Sequence, residues 1–246
     1  MFGSKTVSVV FPVHNEEEGI ENAIHDFFST GWVDEIVVVD NNSTDRSAEI
    51  VKTTAARLVT EPRQGYGFAL QRGMQEAAGD LIILAEPDST FMGRDVLKLL
   101  AYSPDFDMVL GTRTTRELIW ARANMGIFLR LGNLAVAKML EFLFNGPSLS
   151  DCGCTMRLIH AGAARRIQDH LTVGGSHFLP EMAILGLLAK MRIIEVPVNY
   201  RGRLGTSKIT GSFKTAWQVG WRMIRLILNY RLRAWLGRTP RLSLRT

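Results

Sequence analysis

Several stretches of this chain are apolar without alternation. The cores of residues 6–13 (TVSVVFPV), 34–40 (DEIVVVD), 80–88 (DLIILAEPD) and 108–113 (MVLGTR) read VVF, IVVV, LIIL and MVL. A strand with one wet face alternates apolar and polar side chains; an unbroken run needs cover on both faces. Helical patterns lie between the runs, at 16–29, 45–55 and 68–78, and a weaker strand at 56–61 (ARLVTE). Strand and helix in alternation predict an α/β fold with a mostly parallel sheet flanked by helices. Such a sheet binds ligands outside the carboxyl ends of its strands. The chemistry is therefore expected near residues 12–16, 40–45, 86–88 and 111–113. The second part is less regular. It reads as one long helix over 121–144, a loop entering a strand at 147–159, a helix at 178–189, a strand at 191–198 (MRIIEVPV) and a basic loop at 200–208 (YRGRLGTSK).

At 246 residues, 46% of them hydrophobic and 22% charged, the chain can bury a sizeable core and is not disordered. Two cysteines, Cys152 and Cys154, exclude a disulfide scaffold, and two reduced thiols are expected. Charge is unevenly spread. Residues 1–200 carry a net charge of −6, whereas residues 201–246 hold 11 Lys and Arg and no acid. A basic segment of this kind seeks phosphates. No signal peptide and no uncharged run of transmembrane length is seen. No nucleic-acid motif or stacking platform accompanies the charge, so a nucleic-acid partner is not expected.

Asp40 ends a buried strand, where a carboxylate can accept from a base or from ribose hydroxyls; Asp45 reads as a helix cap. Glu86 and Asp88 flank Pro87 at another strand end and could share a divalent cation whose other positions a diphosphate fills. GYGFAL (65–70) lacks the third glycine of a dinucleotide fingerprint, so Gly65 and Gly67 serve either close backbone approach to a ligand or a turn. Arg113 ends the fifth strand, Arg157 follows the 151–154 loop, and Arg201, Arg203 and Lys208 surround Gly202 and Gly205 as an anion site.

In order along residues 6–208, these segments resemble family 2 glycosyltransferases of the GT-A fold, nearest to the dolichyl- and polyprenyl-phosphate sugar transferases of the dolichyl-phosphate mannosyltransferase type. FPVHNEEEGI is similar to the opening "P-x-x-N-E" motif, and VVVDNNSTDRS to "V-D-D-G-S-x-D", with Asn41 in place of the second Asp. RQGYGFALQRGMQEAAGD resembles the "G-x-G-x-A…G…A-x-G-D" stretch. LAEPDSTF stands where the family has D-x-D, with Glu86 as its first acid. GTR, RLGN, DCGCTMR, FLPE and EVPVNYRGRLGTSK match the acceptor-side motifs.

The resemblance implies that Pro12, Asn15, Glu16 and Asp40, with Gly65 and Gly67, hold the nucleotide. It implies Mg2+ or Mn2+ at Asp88 with Glu86 beside it, and phosphates facing Arg113, Arg130, Arg203 and Lys208. It implies an inverting transfer of a hexose from a nucleotide sugar, of the GDP-mannose or UDP-glucose class, to a polyprenyl or dolichyl phosphate. A lipid phosphate is already anionic; a hydroxyl acceptor, in a glycolipid or soluble sugar, would need a general base, for which Asp151 and Glu181 are the candidates. A catalytically silent subunit binding nucleotide sugar is the third reading, kept open by Glu86.

The expected organisation is a catalytic domain over 1–210, with a nucleotide-sugar half (1–115) and an acceptor half (116–210), followed by a tail over 211–246. In the tail Lys214, Gln218, Arg222, Arg225, Asn229 and Arg233 recur every three or four residues. Phe213, Trp217, Trp221, Ile224, Leu228, Leu232 and Trp235 lie around them. Such a helix suits either core packing or the surface of an anionic membrane. A peripheral protein on the cytoplasmic face is expected, alone, as a homo-oligomer or beside a membrane partner subunit.

Overall fold

The computed structural model describes residues 1–120, 123, 126–203 and 213–238. Seven strands form one sheet: β1 (Val7–Val13), β2 (Glu35–Asp40), β3 (Arg57–Thr60), β4 (Leu81–Leu84), β5 (Met108–Thr112), β6 (Arg157–His160) and β7 (Ile193–Pro197). Their order is β3-β2-β1-β4-β6-β5-β7. All neighbours run parallel except β6, which is antiparallel to both β4 and β5. The mostly parallel sheet flanked by helices is thus the architecture that the unbroken apolar runs predict. The reversed β6 has a consequence for the site. Its first residues share an edge with the carboxyl ends of β4 and β5, so the 151–157 segment arrives where the strand ends gather.

The helices are α1 (Ile20–Phe28), α2 (Ser47–Lys52), α3 (Tyr66–Glu76), α4 (Val96–Tyr102), α5 (Ile127–Phe144), α6 (Ala161–Ile167), α7 (Phe178–Leu188) and α8 (Phe213–Trp235). Successive strand side chains point to opposite faces, so each strand feeds two cores. Val9, Phe11, Val38 and Ile83 cluster with Ile24 and Phe27 of α1 and with Leu99 and Leu100 of α4. Val10, Val39, Ile82 and Leu84 cluster with Leu70 and Met74 of α3, Met182 and Leu185 of α7, and Ile227 of α8. Each such side chain contributes roughly 1.5–3 kcal/mol by leaving water. α7 is buried at every position from Phe178 to Gly186, which fits its lack of a polar face.

The helix expected over 16–29 starts later, at Ile20. The backbone N–H groups of Asn15, Glu16 and Glu17 donate instead to Ser43, Ser47 and Asp45. Those side chains hold the chain in a turn and keep Glu16 beside the strand ends. α4 and α6 were not read from the sequence; both are short. α8 has three faces. Met223, Ile227 and Tyr230 are buried, and the helix packs on α5 and α7. Trp217, Trp221, Leu228, Leu232 and Trp235 are exposed and lie within about 60° of one another at 100° per residue. Arg222, Arg225 and Arg233 are exposed beside them. Of the apolar residues singled out around the polar stripe, Ile224 packs against the core, whereas the buried Met223, Ile227 and Tyr230 lie outside that set. Among the described residues no helix is long and apolar enough to cross a membrane.

Candidate active site

The ends of β1 and β2 are laced together. Asn15 sits in the left-handed region at φ 59°, and its Oδ1 accepts from Thr44 N at 2.8 Å. Pro12 is buried within β1 opposite Val39. Asp40, half-buried, accepts from Ser43 N at 3.2 Å. Asn41 is 3% exposed and organises the next loop. Its Nδ2 donates to the carbonyls of Glu61 and Arg63, both at 2.8 Å, while its Oδ1 accepts from Gly65 N at 2.7 Å. An aspartate could not make the first two bonds, which is a physical reason for amide in place of acid.

Gly65, at φ 154°, and Gly67 open α3 against the 172–175 segment. A Cβ on Gly65 would lie 2.3 Å from the carbonyl oxygen of Gly174, and one on Gly67 equally close to that of Val173. These glycines thus serve a close approach of backbone to backbone inside the protein. Tyr66 between them donates to Glu86 Oε1 at 3.1 Å and meets Thr155 Oγ1 at 2.5 Å.

Three acids converge beyond β1 and β4. Glu86 Oε1 also accepts from Thr155 at 2.7 Å. Asp88 is 2% exposed; its Oδ1 takes the Thr90 amide at 3.0 Å and the Thr90 hydroxyl at 2.5 Å. Arg203 donates to Glu16 and pairs with Asp88 Oδ2 at 3.3 Å. Burial lifts the Glu16 carboxyl to about 7, Asp88 and Glu86 push it the same way, and Arg203 pulls it down. Burial, then Asp88, likewise raises Glu86. Three carboxylates around one guanidinium leave a surplus of negative charge that a further cation would relieve.

On the β5 side, Arg113 forms a two-pronged pair with Asp151, at 2.8 and 3.0 Å, and lies over the Tyr200 ring at 5.1 Å. Asp151 is 1% exposed. Burial alone would raise its pKa, but Arg113 and the hydrogen bonds override this and hold it below the ordinary carboxylate range. Glu195, unnoticed in the sequence, holds the turn that presents Asp151 by accepting from the amides of Ser150 and Asp151, both at 2.9 Å. Arg130 donates to Thr114 O at 3.0 Å. Arg157 is buried and spends its guanidinium on the carbonyls of Cys152, Cys154 and Leu179, an internal strut rather than an anion site. Lys208 lies outside the described residues.

The model of glycosyl transferase family 2 matches residues 8–168. The chain belongs to that family. It is a glycosyltransferase, and the reading of the motifs in order is borne out. Curated relatives agree. The chain is 31% identical, over 91% of its length and 53% of the relative's, to the low-salt glycan biosynthesis hexosyltransferase Agl6 of Haloferax volcanii. It is 29% identical, over 92% of its length and 96% of the relative's, to a dolichyl-phosphate hexose transferase of the same organism. An undecaprenyl-phosphate 4-deoxy-4-formamido-L-arabinose transferase of Pectobacterium carotovorum is 29% identical over 83% of this chain and 62% of its own. Among solved structures, glucosyl-3-phosphoglycerate synthase of Mycobacterium tuberculosis, in complex with Mn2+, UDP and glucosyl-3-phosphoglycerate, superposes with a TM-score of 0.65. It covers 97% of this chain and 82% of its own at 18% identity, a likeness of fold.

Within this family fold, the two base candidates are occupied elsewhere. Asp151 is locked to Arg113 in the interior. Glu181 is 0% exposed and accepts from Thr172 N, Thr172 Oγ1, Val173 N and Tyr230 Oη at 2.7–3.0 Å. Both carboxylates are buried and hydrogen-bonded within the protein. Among the described residues no group of three or more His, Cys, Asp or Glu side chains could hold a metal by itself. Glu86 and Asp88 do fit a shared cation. One oxygen of each is engaged by hydroxyls; Asp88 Oδ2 already holds a stand-in cation, Arg203, and a diphosphate would complete a hard-oxygen shell. Tyr66, Thr155 and Asn41 were the residues that sequence reasoning underrated. Each sat inside a quoted motif, but only pairing across the fold reveals its partner.

Proposed function

We propose that this glycosyltransferase moves a hexose from a nucleotide sugar to a polyprenyl phosphate at a membrane surface. The observation that carries the acceptor is the engagement of Asp151 and Glu181. With both base candidates bonded inside the protein, an acceptor that brings its own anionic oxygen, as a lipid phosphate does, suits this site. A phosphate oxygen attacks the anomeric carbon, the bond from that carbon to the donor's diphosphate breaks, and the nucleoside diphosphate leaves with the electron pair. The configuration inverts.

The 12–16 turn and Asp40 bind the base and ribose, while Gly65 and Gly67 give the donor loop its close-packed shape. Glu86 and Asp88 hold Mg2+ or Mn2+, which when bound neutralises charge on the departing diphosphate. Arg203 leaves Asp88 for a phosphate; Arg113, Arg130 and Lys208 supply further cationic contacts. The exposed Trp and Arg faces of α8 lie on an anionic bilayer, rings in the headgroup layer, on the cytoplasmic side where anionic lipid attracts basic segments. The 1–115 and 116–210 halves then divide donor from acceptor.

The test is transfer from UDP- and GDP-sugars to polyprenyl phosphate with Mg2+ or Mn2+. A product released by mild acid supports the reading. Transfer to a hydroxyl acceptor, with a basic limb in the pH–rate profile that Asp151→Asn or Glu181→Gln abolishes, would overturn it.

A further inference from the structure

Glu181 is buried, and it gathers four donors from two directions. Two amides and a hydroxyl come from Thr172 and Val173; the fourth donor is Tyr230 of α8, at 2.9 Å. A charged acceptor makes these bonds stronger than neutral ones. The segment it grips is the one against which the donor loop is built. Val173 O accepts from Gln71 Nε2 of α3 at 3.0 Å, and Gly174 O accepts from Gly67 N at 2.8 Å. The glycine contacts leave no slack: a Cβ on Gly174 would come 2.2 Å from the Phe68 ring. Tyr66, at the start of the same helix, reaches Glu86. A continuous series of hydrogen bonds and close contacts thus runs from α8 through Glu181 and the 172–174 strap to the first turn of α3 and on to the acid cluster.

We propose that Glu181 is a positioning residue for the donor loop, and that Tyr230 of α8 acts on that loop through it. The carboxylate fixes the strap; the strap fixes Gly67 and so Tyr66. α8 is the helix that also bears the exposed tryptophans, so the seating of that helix on the body and the geometry of the donor loop are set by one carboxylate. The functional part of the claim rests on residues 65–67 forming the donor site.

Tyr230→Phe isolates the link, because it removes one hydroxyl and keeps the ring in the core. Hydrogen–deuterium exchange of the full chain should show peptides covering 65–70 and 172–175 exchanging about tenfold faster, the loss expected for one hydrogen bond to a charged group. Amides of β1 should keep their protection. Thr172→Val, which removes the other hydroxyl, should act the same way and serves if Tyr230→Phe does not fold. In steady-state transfer the donor KM should rise with kcat nearly unchanged. Unaltered exchange at 65–70 in both variants overturns the proposal, as does an increase shared equally by β1, which would mark general destabilisation. Wild-type protein with UDP or GDP separates the two claims. Absence of protection at 65–70 would sink the donor-site reading, while the exchange in the variants still decides the coupling.

Discussion

Asn41→Asp restores the acid that the family pattern carries at this position, and the structure predicts that it does harm. Asn41 is 3% exposed, and its amide nitrogen satisfies two carbonyls, of Glu61 and Arg63, at 2.8 Å each. Aspartate keeps the oxygen that accepts from Gly65 but turns an acceptor toward both carbonyls. Each carbonyl stranded in this way costs about 1–3 kcal/mol, so the variant should lose about 2–6 kcal/mol before any repulsion between oxygens is counted. For a chain of this size, roughly 2–4 °C per kcal/mol places the fall in Tm at about 10 °C at neutral pH. The loss should depend on pH. A carboxyl buried against carbonyls has a raised folded pKa, so the deficit is smallest below the ordinary aspartate value of about 4 and grows as pH rises through the folded pKa. Scanning calorimetry of both proteins across acid and neutral pH measures it. The donor KM should rise as well, since the 61–65 loop loses two of its ties. A variant as stable as the wild type at neutral pH, or a deficit indifferent to pH, would refute the account of Asn41 as an amide required by its two carbonyls.

Asp88→Asn keeps an acceptor for Thr90 while removing the charge; turnover and Mn2+ binding by titration should both be lost with little change in Tm, and activity surviving this variant together with a chelator would end the metal assignment. Asp151→Asn strands the buried Arg113 charge and should cost about 3–5 kcal/mol. Because the Asp151 pKa is depressed in the folded protein, its contribution is present above about pH 4 and disappears as pH falls through the folded value, so acid unfolding of the variant should be less steep; equal pH slopes would contradict this. Replacing Trp217, Trp221 and Trp235 together by Ser should abolish flotation with anionic vesicles and leave Tm unchanged, since these rings are 56–81% exposed. Wild-type protein that stays in solution beside such vesicles at low salt would remove the membrane role. Deleting 211–246 is a poorer test, because it also strips Ile227 and Tyr230 from the core. Arg203→Ala should weaken binding of a phosphate-bearing ligand by about tenfold or more, the worth of a charge-assisted contact, and wild-type binding would place Arg203 outside the site.

The architecture was legible because it depends on local pattern. Unbroken VVF, IVVV and LIIL runs require a sheet covered on both faces, and parallel strands require their ligands at the carboxyl ends, which places Glu16, Asp40, Glu86, Asp88 and Arg113 along one edge before any coordinate is known. The motifs in order sufficed for the family. What the sequence could not decide was which of these side chains are already satisfied. Asp151 and Glu181 read as possible bases on charge and place in a motif; Arg113, 38 positions away from Asp151, and Tyr230, 49 positions from Glu181, are the partners that engage them in the fold. The same holds for α8, whose periodicity marks three faces without saying which one the body covers. A residue's type and spacing follow from the chain itself, but whether a charge is free to do chemistry depends on donors and acceptors that long-range folding brings within 3 Å, and that pairing is a property of the tertiary structure alone.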